Sequence, residues 1–393
     1  MYDLIVKAGV VVDPAQKLHD VKDIAVSKGR IAAVEDELRV DDAKLVVNAD
    51  GKIVTPGLID LHVHAYGGVG RYGLDADISC LPTGVTTALD AGTTGAETFV
   101  GFKRYVLDKS RTRLYAFVHI VTDGLAREPE LDRLSNADAS RTAEICEAYP
   151  DLIRGVKVRL TRNAVVSVNP LDALDLALEA AERSGLPLMV HGIRGDEKYS
   201  RDVTGADVIS RLRRGDILTH TYAPSSSILD AEGNVSDEAC RAASRGVIFD
   251  VGHGAGSFSF QTARKALAQG FKPHTISSDM HAISFRGPMF DLGTTLSKLM
   301  ILGLPFDEVI EKATLAPAMV LGIDKGLGRL SEGAEADIVI FKVLQGKFFF
   351  RDVLGESMTG SKWLVPTTVI RGGEVNIGGT WSQVGWAPAP VTR

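Results

Sequence analysis

The sequence has few of the features that mark secreted, nucleic-acid-binding or membrane proteins. Among its 393 residues are only three cysteines, which are far apart and form no paired motif: Cys80, Cys146 and Cys240. Cysteines spaced in this way give no sign of a disulfide framework or a zinc knuckle, which favours a reducing compartment. We therefore expect a cytoplasmic protein with buried or half-buried thiols.

Basic runs and long apolar runs are also missing. The formal net charge is −6, and no cluster of lysine and arginine forms a basic stripe, so we expect no nucleic-acid partner. No apolar stretch reaches the roughly 18 residues of a membrane helix, and Asp3 and Lys7 interrupt the apolar start. We expect no membrane association and a small-molecule partner, and leave homo-oligomer formation open.

The composition that remains is ordinary for a globular enzyme, with 45% hydrophobic and 24% charged residues. Residues 1–55 carry short strand patterns separated by turns, including a hairpin signal at residues 28–30. A strand pattern returns in residues 326–393. We expect these two parts to form one small β-sandwich, followed by a loose tail around Pro388 and Pro390.

Residues 56–325 alternate apolar runs with helical patterns. Eight runs are strand candidates, each far enough from the next for a helical crossover: residues 58–61, 85–89, 114–118, 153–158, 186–190, 216–219, 247–251 and 275–278. Continuous apolar runs are typical of parallel strands that are covered on both faces. The pattern predicts an α/β fold with a (β/α)8 TIM barrel, and a doubly wound open sheet is the alternative.

Residues able to bind a metal follow the ends of these strand candidates. His62 and His64 end the first run, and residues i and i+2 of a strand point to the same side. Later runs end at His191, His220 and Asp279. Since the strands of a barrel share one mouth, these side chains should converge there. Histidine and carboxylate ligands suit a divalent metal, with zinc favoured and manganese, iron or nickel as substitutes.

Lys157 lies within the apolar run of residues 155–158, where burying an ammonium group is costly. One interpretation is a lysine that pairs with an acid or points outward. The other is that burial lowers the pKa of the amine, which is then neutral and can react with carbon dioxide. The resulting carbamate, N6-carboxylysine, has two oxygens that can bridge two cations.

Together these residues resemble the binuclear pattern of the amidohydrolase superfamily, and the similarity covers nearly the whole chain. The pattern is an HxH pair, a lysine, two further histidines and an aspartate: His62, His64, Lys157, His191, His220 and Asp279. The resemblance implies that the HxH pair and Asp279 bind the more buried of two metal ions, that the later histidines bind the other, and that carbamylated Lys157 and a hydroxide bridge them. It also implies that the hydroxide attacks the substrate while Asp279 transfers its proton to the leaving group.

Other residues near the strand ends are candidates for substrate contacts: Tyr66, His119, Arg159, His253 and Arg286. Tyr66 and His119 should face the mouth, and His253 follows the seventh run. The arginines suit a substrate carboxylate, although most surface arginines are only solvated. We expect Asp90 to support the ligands from behind and His281 to point away from the metals.

Residues 68–73 match the letters of the dinucleotide-binding pattern GxGxxG. The preceding strand end already carries the histidine pair, and no clear helix opens within the motif. We interpret the segment as a glycine-rich loop over the barrel mouth.

The residues after the histidine pair narrow the expected reaction. Dihydroorotases of the superfamily commonly have HxHxR, whose arginine holds the substrate carboxylate, whereas Tyr66 occupies that position here. Residues 66–68 and 278–281 resemble the dihydroorotase-like deacetylase group, which implies removal of an acyl group from a small hydroxy acid or amino acid. A cyclic amide hydrolase of the dihydroorotase or hydantoinase/dihydropyrimidinase type is the alternative. A non-catalytic scaffold, as in relatives that have lost metal ligands, is a remote one.

Overall fold

A computed structural model gives the structure of residues 1–193 and 203–381. The tail expected around Pro388 and Pro390 lies outside these described residues. Their strands are β1 (Leu4–Asp13), β2 (Leu18–Ser27), β3 (Arg30–Glu35), β4 (Val46–Asn48), β5 (Ile53–Pro56), β6 (Leu58–Val63), β7 (Val85–Gly95), β8 (Arg113–His119), β9 (Ile153–Arg159), β10 (Leu188–His191), β11 (Ile217–Thr219), β12 (Ile248–Phe249), β13 (Ile338–Arg351), β14 (Ser357–Arg371) and β15 (Glu374–Ile377).

The α-helices of the described part are α1 (Ala76–Ser79), α2 (Phe99–Phe102), α3 (Ala139–Ala148), α4 (Pro170–Arg183), α5 (Gly205–Arg211), α6 (Asp237–Arg245), α7 (Phe260–Ala268), α8 (Leu292–Ile301), α9 (Phe306–Glu311) and α10 (Leu315–Val320). Helix α4 shows how the sequence sets their limits. The Asn169 side chain accepts a hydrogen bond from Leu171 N, and Pro170 takes the first helical position. Leu174 and Ala177 are buried on the inner face of this amphipathic helix.

Strands β6 to β12 form a parallel sheet in which each strand pairs with the next along the chain. The eighth predicted strand, residues 275–278, is not a regular strand. Instead this segment makes isolated parallel bridges on both sides, Asp250 with Thr275 and Val63 with Met280. The sheet therefore curls until residues 275–280 join its two edges, and this brings the carboxyl ends of its strands around one opening.

A second sheet combines strands from both ends of the chain, as predicted. Its order is β15-β14-β13-β5-β1-β2-β3, and β4 also pairs with β1. Strand β5 connects the two parts, because it pairs in parallel with β1 and antiparallel with β13. Within the described residues the strands form one hydrogen-bonded sheet, and the predicted sandwich is not confirmed.

The sequence predicts buried or half-buried thiols and no membrane helix. Cys80 and Cys146 are buried free thiols, whereas Cys240 is free but exposed. In the described part of the chain, no helix has both the length and the apolar character needed to span a membrane.

Gly57 connects the two sheets between β5 and β6. Its N–H donates to Asp337 O at 2.8 Å, and the Asp337 carboxylate accepts from Gly372 N at 2.8 Å and pairs with Arg113. A Cβ at position 57 would lie 2.1 Å from Thr86 Oγ1 and 3.0 Å from Asp337 Cβ. Only glycine lets the two sheets approach this closely.

We expect Gly57→Ala to lower the unfolding temperature by several degrees, because forcing atoms into a packed site costs about 1–3 kcal/mol. Gly326→Ala is the matched control, since a Cβ there meets no atom within 4 Å and its φ is ordinary. Differential scanning calorimetry measures both variants. Equal unfolding temperatures for Gly57→Ala and the wild type would contradict this account of the junction.

Candidate metal centre

Three side-chain acceptors converge at the opening of the parallel sheet. His62 lies on β6, His64 follows it, and Asp279 lies on the segment that joins the sheet edges. The distances from His62 Nε2 and His64 Nε2 to Asp279 Oδ1 are 3.5 and 3.4 Å. All three residues are buried, and one ligand atom from each lies within 4.8 Å of the others.

A hydroxyl and a carboxylate hold His62 from behind. Its Nδ1 lies 3.0 Å from Thr219 Oγ1, and that hydroxyl donates its hydrogen to Asp250 Oδ2 at 2.8 Å. Since the hydroxyl has only one hydrogen, it must accept from His62 Nδ1–H. Burial holds the pKa of His62 well below its usual value, so the ring is neutral and its lone pair is on Nε2.

His64 has the same kind of support from β7. Its Nδ1 lies 2.9 Å from Thr93 Oγ1, and the Thr93 side chain hydrogen-bonds Asp90. Asp90 also accepts from Ala65 N and Thr93 N, each at 2.7 Å. Asp90 thus supports the histidine from behind, in the position that the sequence predicts.

These hydrogen bonds leave acceptors facing one another. With Nδ1–H donated to a threonine, a neutral ring of either histidine has its Nε2 lone pair on the side of Asp279 Oδ1, and like partial charges at about 3.5 Å repel unless a cation lies among them. Two imidazole nitrogens and a carboxylate oxygen form a donor set that suits a divalent transition metal. The residues present therefore fit a metal ion.

Lys157 lies beside this group on β9 and is 1% exposed. Its Nζ is 3.3 Å from Met189 Sδ and 3.4 Å from His62 Nε2. Among the residues that the structure describes, no carboxylate oxygen lies within 4 Å of Nζ, so the lysine is not the ion-pair partner of an acid. Burial lowers the pKa of Lys157 to about 7, so much of the amine is neutral at neutral pH.

His191 and His220 complete the group from the ends of β10 and β11. Their ring centroids are 4.0 Å apart, and His220 Nδ1 lies 2.6 Å from Gly252 O, so a neutral His220 ring has its lone pair on Nε2. His220 and Asp279 both have a positive φ, of 66° and 52°. Non-glycine residues hold this strained backbone where the surrounding structure enforces it, often at functional sites.

All six predicted metal ligands line one cavity of about 750 Å³. Arg159 also lines it, as predicted for a substrate contact. Its guanidinium pairs with Glu130, whose side chain is 1% exposed, and lies 5.5 Å from the centre of the Tyr72 ring. Burial raises the pKa of Glu130, and the neighbouring Arg159 charge opposes that rise. The ion pair fixes the direction in which Arg159 faces the cavity.

Four of the five predicted substrate contacts do not line the cavity. Tyr66 packs against the hydrophobic core, and Arg286 is exposed. His253 is fully buried, with its Nε2 2.8 Å from Lys298 Nζ. His119 is also fully buried, at the end of β8. A position at the end of a strand was therefore not enough to predict whether a side chain lines the cavity.

Tyr72 and His281 are two of the cavity residues that were not predicted. Tyr72 comes from the glycine-rich loop, and its ring centre lies 5.8 Å from His64 and 5.3 Å from His281. The expectation that His281 points away was wrong, because its Nε2 lies 3.8 Å from Asp279 Oδ2. Strand alternation does not apply there, since Asp279 has a positive φ. The glycine pattern of residues 68–73 was the sequence signal for the loop.

We expect Thr93→Val to weaken metal binding by about tenfold or more, because the hydroxyl that orients His64 is lost. Thr94→Val is the control, since the Thr94 hydroxyl has no hydrogen-bond partner within the described residues. Competition with a chromogenic chelator measures both affinities. The same affinity in the two variants would contradict the orienting role of Thr93.

Comparisons of the sequence with known proteins agree with the geometry. A model of the amidohydrolase family matches residues 53–375. A deacetylase of Enterococcus faecalis is 33% identical over 378 residues, which are 95% of this chain and 99% of that protein. A deacetylase of Agrobacterium fabrum is 33% identical over 357 residues, or 88% of this chain and 84% of that protein.

Solved structures extend the likeness to the fold. A structure described as an adenine deaminase has a TM-score of 0.87 at 32% identity, and one described as a dihydroorotase has 0.86 at 30%. Each alignment covers 96% of this chain and 100% of the other. With its histidines and aspartate gathered at the opening of a parallel sheet, the protein belongs to the amidohydrolase family and is a metal-dependent hydrolase of amide or ester bonds.

Proposed function

We propose that the protein removes an acyl group from a small acylated hydroxy acid or amino acid. The observation that carries this proposal is the Arg159 guanidinium, which Glu130 fixes on the wall of the cavity that holds the six candidate ligands. A cavity of about 750 Å³ has the size of a small-molecule site. Arginine binds carboxylates through paired, charge-assisted hydrogen bonds. The deacetylase names of relatives that align along the chain support the same reaction.

The cavity suits two divalent ions, with zinc favoured and manganese, iron or nickel as substitutes. His62, His64 and Asp279 would hold one ion, and His191 and His220 the other. Lys157, as its carbamate, would lie between them. Two such ions would supply a water of lowered pKa and polarise the substrate carbonyl.

The chain's own residues then orient the substrate and move the proton. Arg159 binds the substrate carboxylate and sets the direction of the acyl group. Asp279 directs Oδ1 at the two ligand histidines, while Oδ2 lies on the side of His281, 3.8 Å from its Nε2. The carboxylate accepts a proton as water attacks the acyl carbon, and passes that proton to the leaving nitrogen or oxygen.

Asp279→Asn should abolish turnover while much of the metal stays bound, because an amide keeps an oxygen ligand and loses the ability to accept the proton. Asp41→Asn is the control, since the Asp41 side chain is 83% exposed. Initial rates and elemental analysis measure the two effects. Near-normal activity of Asp279→Asn would show that another group moves the proton.

A substrate panel tests the class of compound. N-acetyl amino acids of both hands and O-acetyl hydroxy acids should be hydrolysed, and hydantoin, dihydroorotate and adenine should not. Arg159→Met should raise KM for the acids by at least about tenfold, because a hydrogen bond to a charged group contributes about 1.5–3 kcal/mol. The carboxamide analogues of the same acids are the control, since they carry no charge for Arg159 to bind. An equal change in KM for acids and carboxamides would contradict the role of Arg159.

A cyclic amide hydrolase is the second candidate, because the structure described as a dihydroorotase has a TM-score of 0.86. Against it, Tyr66 stands where an arginine would hold the carboxylate of a dihydroorotase substrate. Tyr66 packs into the core instead of facing the cavity. Turnover of only the cyclic compounds in the panel would favour this candidate.

A further inference from the structure

His119 is a buried histidine that lies next to Lys157. It has no role in the proposed reaction. The register of β8 and β9 pairs the two residues directly, and residues paired in a sheet project to the same side. A Cβ built on Gly92 would lie 2.7 Å from Lys157 Cγ and 3.4 Å from His119 Cδ2. Both side chains therefore pack over the same glycine of β7.

The proton of His119 lies on the nitrogen that has no partner. Val121 N–H donates to His119 Nδ1 at 3.1 Å, which makes Nδ1 an acceptor. In a neutral ring the hydrogen is then on Nε2. Within the described part of the chain, Nε2 has no hydrogen-bond partner, although the residue is 0% exposed. A buried N–H without an acceptor is uncommon in folded proteins.

The charged groups near this N–H do not supply an acceptor. Those with the largest influence on His119 are Arg159 and Lys157, which donate hydrogen bonds when charged, followed by His64. Substrate is not an acceptor either, because His119 does not line the cavity and is fully buried. An acceptor created on a neighbouring side chain would satisfy the N–H.

We propose that His119 Nε2–H donates a hydrogen bond to a carbamate oxygen on Lys157, and that His119 is a positioning residue for this carbamate. The inference rests on the proposed carbamylation of Lys157. In that reaction the neutral amine attacks carbon dioxide, an N–C bond forms, and one proton leaves the nitrogen to solvent. The His119 hydrogen bond stabilises the resulting anion and fixes the plane of its two oxygens. Residues that hydrogen-bond a metal ligand commonly orient it in this way.

The test is the binding of carbon dioxide, measured apart from catalysis. Metal-stripped protein is equilibrated with zinc and ¹³C-bicarbonate at a series of concentrations, and the carbamate is observed by ¹³C NMR. Lys157→Ala gives the blank spectrum. We expect His119→Leu to need at least about tenfold more bicarbonate for half-maximal signal. Metal content by elemental analysis should follow the carbamate signal in each sample.

His119→Gln is the matched rescue variant, because its side-chain amide offers an N–H near the position of Nε2. We expect its bicarbonate dependence to lie within about threefold of the wild type, since a charge-assisted hydrogen bond is kept. Equal impairment of the Leu and Gln variants would overturn the proposal in favour of a packing role. A normal bicarbonate dependence in His119→Leu would also overturn it.

Other outcomes separate this proposal from the proposed function. The absence of a lysine-dependent carbamate signal in the wild type would remove the bridging carbamate itself, and with it the role of His119. If His119→Leu does not fold, the wild-type Nε2–H resonance, assigned by its loss in His119→Gln, is followed by ¹⁵N-edited NMR. It should shift when bicarbonate is added with zinc, and an unchanged resonance would overturn the proposal.

Discussion

The convergence of two imidazole nitrogens and a carboxylate oxygen on one point is the constraint on which this structure depends. His62 Nε2 and His64 Nε2 lie 3.5 and 3.4 Å from Asp279 Oδ1, and neutral rings in this arrangement repel the carboxylate in the absence of a cation. The fold must therefore hold each group against its neighbours. It does so through threonine hydroxyls that fix the imidazole tautomers and through buried carboxylates that hold those hydroxyls.

The supporting groups come from strands on both sides of the ligands. Thr93 lies on β7, Thr219 ends β11, and Asp250 follows β12, so the ligand geometry exists only when the sheet has curled. Asp60 on β6 strengthens the closure, because its carboxylate accepts from Ser278 N at 3.0 Å. Burial raises the pKa of Asp60 to about 7, although the hydrogen bonds from Ser278 oppose the rise. The same contacts that close the sheet therefore also set the geometry of the candidate metal centre.

The sequence was sufficient to bring the six candidate ligands and Asp90 to one opening, but not the loop residues around them. Residues such as His62 and His220 were recognisable because apolar runs end at them, and strand ends converge by geometry. Glu130 and Tyr72 reach the site from loops. Loops have no repeating pattern of apolar residues in the sequence, so their path back to the site cannot be predicted from it. His281 was misplaced because the alternation of a strand fails at the positive φ of Asp279.

Strand β5 has a further consequence for how the protein is made. It pairs with β13, which begins at Ile338, so one edge of the N-terminal sheet has no partner until the ribosome has synthesised residues 338–341. An unpaired edge strand is open to pairing with other chains. This edge therefore stays without its native partner while residues 57–337 are synthesised, and strands from the C-terminal part complete the sheet that the N-terminal strands begin.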